Sequence, residues 1–297
     1  MRVFTSIVLV AAMATSANAY DGHSESMVEA KAKGKEVVKK SSSAEKGVGL
    51  WEELLMSEHR SEKNKQRDQY RNPKETLEFF GIKPGMTVVE IAPGGGWYTE
   101  ILSPLLGPQG KLYAAHFDPE SEVEYYRNSR KGFGEKIEAN GEVYQNVEIT
   151  TFQPPKIFDI APDGSADAVV TFRNVHNWLR GSRETVLESF KAMHKALKPN
   201  GVLGVVEHRL PQSMKQDDKA SSGYMHQKFI IDIAEEAGFK LVATSEINAN
   251  PKDTADHPKG VWTLPPSLRL GDEDKDKYLS IGESDRMTLK FVKPATE

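Results

Sequence analysis

The sequence has 297 residues, of which 28% are charged and 38% hydrophobic, and its formal net charge is −4 at pH 7. This composition is typical of a globular protein. The mild negative charge gives no electrostatic reason to bind nucleic acid or an anionic membrane surface. The chain has no cysteine, which excludes disulfides, thiolate metal ligands and a cysteine nucleophile.

The first residues have the pattern of a cleavable secretory leader. Arg2 precedes a short apolar run, and Ala17-Asn18-Ala19 fits the small-x-small cleavage rule. The run is too short to span a bilayer, and no later stretch is long enough, so we expect no membrane insertion. We predict a signal peptide over 1–19, a periplasmic or secreted location, a disordered polar linker over 20–49 and one domain over 50–297.

Residues that typically begin and end a helix precede the first predicted strand. Asn72 as N-cap, Pro73 and Glu75 predict a helix start with a capping box, and Gly81 predicts its end. Just upstream, the segment "RDQYRNP" predicts a helix with three candidate ligand-contacting side chains, Arg67, Tyr70 and Arg71.

Strand and helix patterns then alternate along the chain. Predicted strands cover 87–91, 111–115, 147–152, 167–172, 202–208, 241–247 and 287–292. Helices are predicted over 98–106, after the cap Ser182, and in "FIIDIAEEAGF"; Pro199-Asn200-Gly201 and Asp163-Gly164-Ser165 are predicted turns. Alternation of this kind predicts a doubly wound, mostly parallel α/β sheet. The last two strands, joined by a loop without helix pattern, are predicted to pair antiparallel.

The stretch "VVEIAPGGGWYTEIL" places glycines directly after the first strand. Ligands of open α/β sheets bind beyond the carboxyl ends of the strands, and glycines there let backbone N–H groups approach a ligand. A tight turn without a ligand is the alternative. The dinucleotide fingerprint requires a third glycine where Thr99 stands, so a nicotinamide or flavin cofactor is disfavoured.

This stretch resembles the first motif of class I S-adenosylmethionine (SAM)-dependent methyltransferases. Ala92, Gly94 and Gly96 fall on the three glycine positions of that motif. "LKPNGVLGVVEHR" and "AEEAGFKLV" resemble later landmarks, and the span from about residue 50 to 294 is similar to a bacterial group of exported, predicted methyltransferases. The resemblance implies a Rossmann-like seven-stranded sheet with a C-terminal antiparallel strand pair, and SAM as cofactor. It implies these cofactor-binding residues: Glu90, Ala92, Gly94, Gly95, Gly96, Asp118 and Asn174.

The sequence departs from the family pattern after the second strand. The position of the usual ribose-binding acid falls on His116, and Asp118 follows two residues later. Asp118 is predicted to bind the ribose if the strand end bulges; alternatively it caps a helix after Pro119. After the third strand, no acid stands near the expected adenine position, where Phe152 is a candidate for stacking.

The ends of the fourth and fifth strands carry the candidates for chemistry. His176 and His208 are predicted catalytic residues, since imidazole exchanges protons near neutral pH, and Glu207 is predicted to orient His208 or to bind substrate. Arg173 is a candidate partner for a carboxylate, and Asn174 for the methionine part or a substrate group. Metal binding is not expected, because no close-spaced ligand motif is present.

Two readings of function follow from these residues. The first is a SAM-dependent methyltransferase acting on a small molecule in the cell envelope. The alternative is a non-catalytic periplasmic protein that keeps the fold and binds another ligand, since SAM is made in the cytoplasm. In either case the connection 248–285, with its apolar "KGVWTLPPSLRLG", is predicted to cover the pocket as a lid or to pack on itself as a surface excursion.

Overall fold

The computed structural model describes residues 43–295 of the chain. The predicted signal peptide and most of the predicted linker lie outside these residues. Helix α1 (Ser43–Met56) crosses the expected linker–domain boundary at residue 50, and the three predicted segments stay predictions. Among the described residues, no helix has both the length and the apolar character that a bilayer span requires.

Eight strands form one sheet in the order β4-β3-β2-β1-β5-β6-β8-β7. Strands β1, β2, β3, β5 and β6 are parallel to one another, whereas β4 pairs antiparallel with β3, and β8 pairs antiparallel with both β6 and β7. The strands are β1 (Thr87–Ile91), β2 (Lys111–His116), β3 (Val147–Gln153), β4 (Ile157–Asp159), β5 (Ala166–Phe172), β6 (Leu197–His208), β7 (Lys240–Ser245) and β8 (Arg286–Val292).

Helices pack on both faces of this sheet. Successive strand residues alternate between two buried clusters, so Val88 and Val170 pack with the helix Thr99–Leu106, while Val89 and Val169 pack with the helix Arg183–Ala196. The remaining helices are α2 (Glu62–Lys65), α3 (Asp68–Arg71), α4 (Pro73–Phe80), α5 (Thr99–Leu106), α6 (Glu124–Ala139), α7 (Val175–Leu179), α8 (Arg183–Ala196), α9 (Gln227–Glu236), α10 (Lys275–Ile281) and a 3₁₀ turn (Gly260–Thr263).

The predicted fold class is confirmed, and the strand count is corrected from seven to eight. The additional strand, β4, has three residues and is too short to show a period. Strand β6 begins at Leu197, so the predicted turn at Pro199-Asn200-Gly201 lies inside it. The antiparallel arrangement of β7 and β8 agrees with the prediction.

Two of the three predicted helix signals are found. Ser182 accepts a hydrogen bond from Thr185 N and caps α8, and Gly81 ends α4 with a left-handed φ of 83°. The Asn72 capping box is wrong, because the Asn72 amide instead donates to the Ile247 carbonyl at 2.7 Å. Its side chain therefore ties the start of α4 to the end of the sheet.

Candidate functional site

A cavity of about 1010 Å³ opens where the parallel strands end. The loop after β1, the ends of β3 and β5, the last residue of β6 and part of the connection between β7 and β8 form its wall. This edge is where open α/β sheets bind ligands. Seven predicted site residues line the cavity: Glu90, Ala92, Gly94, Gly95, Asn174, His176 and His208. Gly96, Asp118 and Glu207 are not among the described residues on the wall.

The loop after β1 exposes its backbone to this cavity. Ala92, Gly94 and Gly96 have left-handed φ angles of 49°, 59° and 77°, which favour glycine and strain an alanine. A Cβ atom at Gly94 or Gly95 would meet no described atom within 4 Å, whereas one at Gly96 would lie 3.0 Å from the Phe133 ring. Gly94 and Gly95 thus leave room for a ligand, while Gly96 allows α6 to pack closely.

Glu90 lies in β1, buried beside this loop. Thr99 Oγ1 donates to Glu90 Oε2 at 2.6 Å. Burial raises the pKa of Glu90 to about 7, against the opposing effects of the Thr99 hydrogen bond and the charge of Lys136. The carboxyl is therefore poised to ionise near neutral pH, and a cation placed beside it in the cavity favours the ionised form.

His116 occupies the position where the family pattern has an acid, and both of its ring nitrogens form hydrogen bonds. Phe117 N donates to His116 Nδ1 at 2.7 Å, and Nε2 lies 3.1 Å from the Gly94 carbonyl oxygen, to which it donates. Burial lowers the pKa of His116 to about 4, so the ring is neutral at pH 7. His116 supports the glycine loop from behind and offers no charge to a ribose.

Asp118 forms a local turn rather than a helix cap. Its Oδ1 accepts a hydrogen bond from Glu120 N at 3.0 Å, and the next helix, α6, begins only at Glu124. The alternative in which Asp118 caps a helix after Pro119 is therefore wrong. The other candidate role, ribose binding, stays a prediction for a residue that the structure does not place on the cavity wall.

Aromatic side chains line the cavity on the side of β2 and β3. Phe152, the predicted stacking residue, is buried with its ring 5.3 Å from that of Trp178, in an edge-on arrangement. Phe117 stacks on Tyr126 with ring centroids 4.2 Å apart, and both line the cavity. These two were missed from the sequence, because "HFDPESEVEYY" has no strand or clear helix pattern. Together they provide an apolar surface suited to a planar ring.

His176, in α7 just after β5, and Glu207, near the end of the neighbouring β6, form a buried pair. His176 Nδ1 lies 3.0 Å from Glu207 Oε1, and the same oxygen accepts the His208 backbone N–H at 2.8 Å. Glu207 Oε2 accepts the His176 backbone N–H at 3.3 Å. Both Glu207 oxygens act as hydrogen-bond acceptors. The Nδ1–H of His176 therefore donates to Glu207, and Nε2 keeps the lone pair. Glu207 thus orients His176, not His208 as expected.

His208 has a different environment. Its Nδ1 lies 2.5 Å from Ser284 Oγ. Burial lowers the pKa of His208 well below its usual value, and the charges of His176 and Arg173 add to the effect. His208 therefore stays neutral at pH 7.

The same three residues have the chemistry of a metal site. Ligand atoms of His176, Glu207 and His208 all lie within 4.8 Å of one another. The N–H donors on both Glu207 oxygens compete with a cation for that carboxylate. The hydrogen-bonded pair accounts for the geometry without a metal, and the absence of metal binding stays a prediction.

Asn174 holds the strand ends together. Its amide donates to the Ile91 carbonyl at 2.9 Å and to Thr171 Oγ1 at 3.2 Å. Two donors are thus committed to β1 and β5, and the amide oxygen remains the side chain's acceptor. Asn174 lines the cavity between the glycine loop and the histidines.

The connection between β7 and β8 covers part of the cavity and is not structureless, as the sequence had suggested. It contains the 3₁₀ turn and α10, and Trp262 reaches the wall with its ring 5.9 Å from that of His176. Arg180 and Arg269 each lie 4.8 Å from the Trp262 ring. A Cβ atom at Gly260 would lie 2.0 Å from the Ser222 carbonyl oxygen, so this connection packs tightly against residues 210–225.

No protein-family model matches the sequence. A stretch of 141 residues, 46% of the chain, is 33% identical to the ubiquinone/menaquinone biosynthesis C-methyltransferase UbiE of Hahella chejuensis. A stretch of 65 residues, 22% of the chain, is 40% identical to the ribosomal RNA small subunit methyltransferase H 1 of Agathobacter rectalis. The matched stretches span 48% and 19% of those two relatives.

Solved structures cover more of the chain. A SAM-dependent methyltransferase from Aquifex aeolicus matches 76% of this chain and 92% of its own, with a TM-score of 0.50 and 20% identity. The fold is that of the class I SAM-dependent methyltransferases. A geranyl diphosphate methyltransferase in complex with SAM matches 82% of this chain and 94% of its own (TM-score 0.51, 10% identity). The [4+2]-cyclase SpnF matches 84% of this chain and 93% of its own, with a TM-score of 0.53 and 12% identity. These structures confirm the predicted Rossmann-like fold.

The residues of the cavity fit SAM in two of its parts. The open backbone at Gly94 and Gly95 and the ionisable Glu90 suit the amino-acid part, and the aromatic wall suits adenine. The ribose position departs from the pattern, because His116 is turned to the Gly94 carbonyl. In this fold, the ribose would be held by groups other than the side chain of His116, the last residue of β2.

Proposed function

We propose that the protein is a SAM-dependent methyltransferase that acts on a small-molecule acceptor in the cell envelope. The observation that carries the proposal is the loop after β1, whose open glycine backbone lies beside the buried Glu90 at the carboxyl edge of the sheet. The sequence similarity to two methyltransferases supports it. The envelope location rests on the leader predicted over 1–19.

The chain's own residues have separable roles in this proposal. Bound SAM supplies a methyl group on a sulfonium, which is reactive enough that positioning accounts for much of the rate. Gly94, Gly95 and Glu90 bind the amino-acid part, and Phe117 and Phe152 enclose the adenine. Asn174 fixes the ends of β1 and β5 at the distance that the site requires.

His176 takes the proton from the acceptor in this mechanism. Its Nδ1–H is held by Glu207, so Nε2 is the basic atom, on a residue that lines the cavity. A hydroxyl acceptor needs such a base, since its oxygen must lose a proton as it gains the methyl group. Trp262 and the connection that carries it keep water away from this end of the cavity.

A non-catalytic ligand-binding protein is the second candidate function. One observation favours it: the neutral His116 stands where a ribose-binding acid is usual. In this alternative the cavity binds a different small molecule, and no methyl group moves.

Calorimetry with SAM or its demethylated product, S-adenosylhomocysteine, tests the proposal. We expect saturable binding, which Gly94→Asp abolishes because the new side chain fills the open space at a left-handed backbone position. Gly164→Asp is the matched control, since Gly164 has a φ of 61° and equally open surroundings outside the cavity. No heat at millimolar cofactor with the unmodified protein would favour the ligand-binding alternative.

The pH dependence of this binding should report Glu90. Its pKa of about 7 falls when the cofactor's ammonium binds beside it, so binding releases a proton below pH 7. Affinity therefore rises from pH 5.5 to about 7, by up to about tenfold per pH unit, and then levels off. With Glu90→Gln, the affinity should not change over this pH range. A pH dependence that persists in this variant means that the released proton comes from another group, since Lys136 and Glu100 also face Glu90.

A further inference from the structure

Four arginines converge on the cavity wall opposite the aromatic side, and we refer to them as the arginine cluster. Arg67 and Arg71 come from the segment before the first strand, Arg173 follows β5, and Arg286 begins β8. Their sequence positions are far apart, but the insertion of β8 beside β6 places Arg286 opposite His208. All four line the cavity.

Glu283 is the carboxylate that neutralises part of this charge. It accepts hydrogen bonds from Arg67 Nε at 2.6 Å and from Arg286 Nη2 at 2.5 Å, and Arg71 Nε lies 3.5 Å away. Burial raises the pKa of Glu283, but Arg286, Arg71 and Arg173 outweigh it and bring the pKa down to about 2. Four positive charges against one negative charge leave the cluster with an excess of three.

Several buried donors of the cluster lack a hydrogen-bond partner, although Arg71 lies near Glu283 and over the Trp97 ring. Within residues 43–295, Arg71 Nε and Nη1 and Arg67 Nη2 have no hydrogen-bond partner. Arg71 is only 2% exposed, and unpaired buried donors on a charged group are costly. Native structures rarely keep such donors unless a ligand or ordered water completes them.

Arg173 is held toward the cavity at a conformational cost. Its φ of 61° is a left-handed conformation that a long side chain rarely adopts. It forms no ion pair with any described residue, and burial lowers the pKa of its guanidinium to about 10, which still leaves it charged at neutral pH. A strained, unpaired cation on a cavity wall is typical of a ligand-binding position rather than a structural one.

We propose that the arginine cluster binds an anionic group, a carboxylate or a phosphate, of the methyl acceptor. This inference rests on the proposed function and specifies its substrate class. Bound at the cluster, such an acceptor lies next to the proposed base, since Ser284 lies 2.5 Å from His208 and 3.5 Å from Arg286, and the rings of His208 and His176 are 5.4 Å apart. The forked guanidinium suits a planar or tetrahedral oxyanion.

The charge of the cluster favours the acceptor over the cofactor as the source of the anion. SAM carries a sulfonium and an ammonium as well as its carboxylate, so a strongly positive site repels it on balance. One cofactor carboxylate would also leave two of the three excess charges without a counter-ion. An acceptor with its own negative charge relieves both problems.

Binding of inorganic phosphate and of succinate to the full chain tests the inference, with sodium chloride added to keep ionic strength constant. We expect a saturable rise in melting temperature and a dissociation constant that weakens at least tenfold in Arg173→Gln. Arg173→Lys should retain part of the affinity, and Arg183→Gln, which removes an exposed arginine paired with Glu236, should change nothing. Equal affinities in Arg173→Gln and Arg183→Gln, or no saturable effect, would overturn the site.

Repeating the phosphate titration with S-adenosylhomocysteine at saturation identifies the source of the anion. Phosphate binding that persists with the cofactor product bound supports an acceptor site. Strict competition assigns the cluster to the methionine carboxylate and overturns the proposal. If the adenosine compound does not bind at all, the methyltransferase function fails, while phosphate binding that depends on Arg173 still supports the anion site.

Discussion

Replacing His176 by alanine should slow methyl transfer by about 10²- to 10⁴-fold, the usual contribution of a general base. The variant should bind S-adenosylhomocysteine as the unmodified protein does, because the residues proposed to bind the cofactor lie on β1 and β3 and in the loops that follow β1 and β2. The measurement is the rate of transfer of a labelled methyl group from SAM to a component of an envelope extract. The pH–rate profile should also lose the limb that the base produces.

Two further variants separate a base from a structural histidine. His194→Ala removes a histidine on α8 that does not line the described cavity wall, and its transfer rate should stay within about twofold of the unmodified rate, as expected for a site remote from the chemistry. Glu207→Gln keeps the shape of the pair but removes the negative charge and replaces one of the two oxygens that accept N–H groups by an NH₂ donor, so its rate should also fall. If the double variant His176→Ala, His208→Ala transfers label as fast as the unmodified protein, the base assignment is wrong.

Local signals made most of the fold predictable from the sequence. Strand β1 occupies the predicted 87–91, because a short apolar run there follows the Pro84-Gly85 turn and precedes a glycine run. The roles of the loop glycines and of the cap at Ser182 likewise depend on residues only a few positions away in the sequence. Such features depend on backbone conformation and on near neighbours, which the sequence displays directly.

The charged part of the site was not predictable in this way. Glu283 is joined to Arg67 across most of the chain, and only the placement of β8 between β6 and β7 brings them together. His116 shows the same limit, since its role depends on the Gly94 carbonyl that faces it. A sequence pattern can assign a residue to a strand end, but the partner of its side chain is a property of the tertiary fold.

Glu283→Gln should lower the free energy of unfolding by roughly 3–5 kcal/mol, the usual result of removing one partner of a buried ion pair. Glu283 is 3% exposed, and its replacement leaves Arg67, Arg71 and Arg286 without the carboxylate that they pair with. Urea denaturation at pH 7 measures the change. Glu135→Gln is the control, because Glu135 forms an exposed pair with Lys131, and its loss should cost no more than about 1 kcal/mol.

The difference between the unmodified protein and Glu283→Gln should also depend on pH. The folded-state pKa of about 2 lies below the ordinary value of 4.5, so the carboxylate contributes its full stabilisation above about pH 4.5 and loses it as the pH falls toward 2. The two unfolding curves should therefore converge in acid. Phosphate at pH 7 should restore part of the lost stability, because an anion in the cavity replaces the missing charge beside Arg71 and Arg286. A variant as stable as the unmodified protein at pH 7 would mean that the arginines do not need a counter-ion, and the reason to expect an anionic substrate would be lost with it.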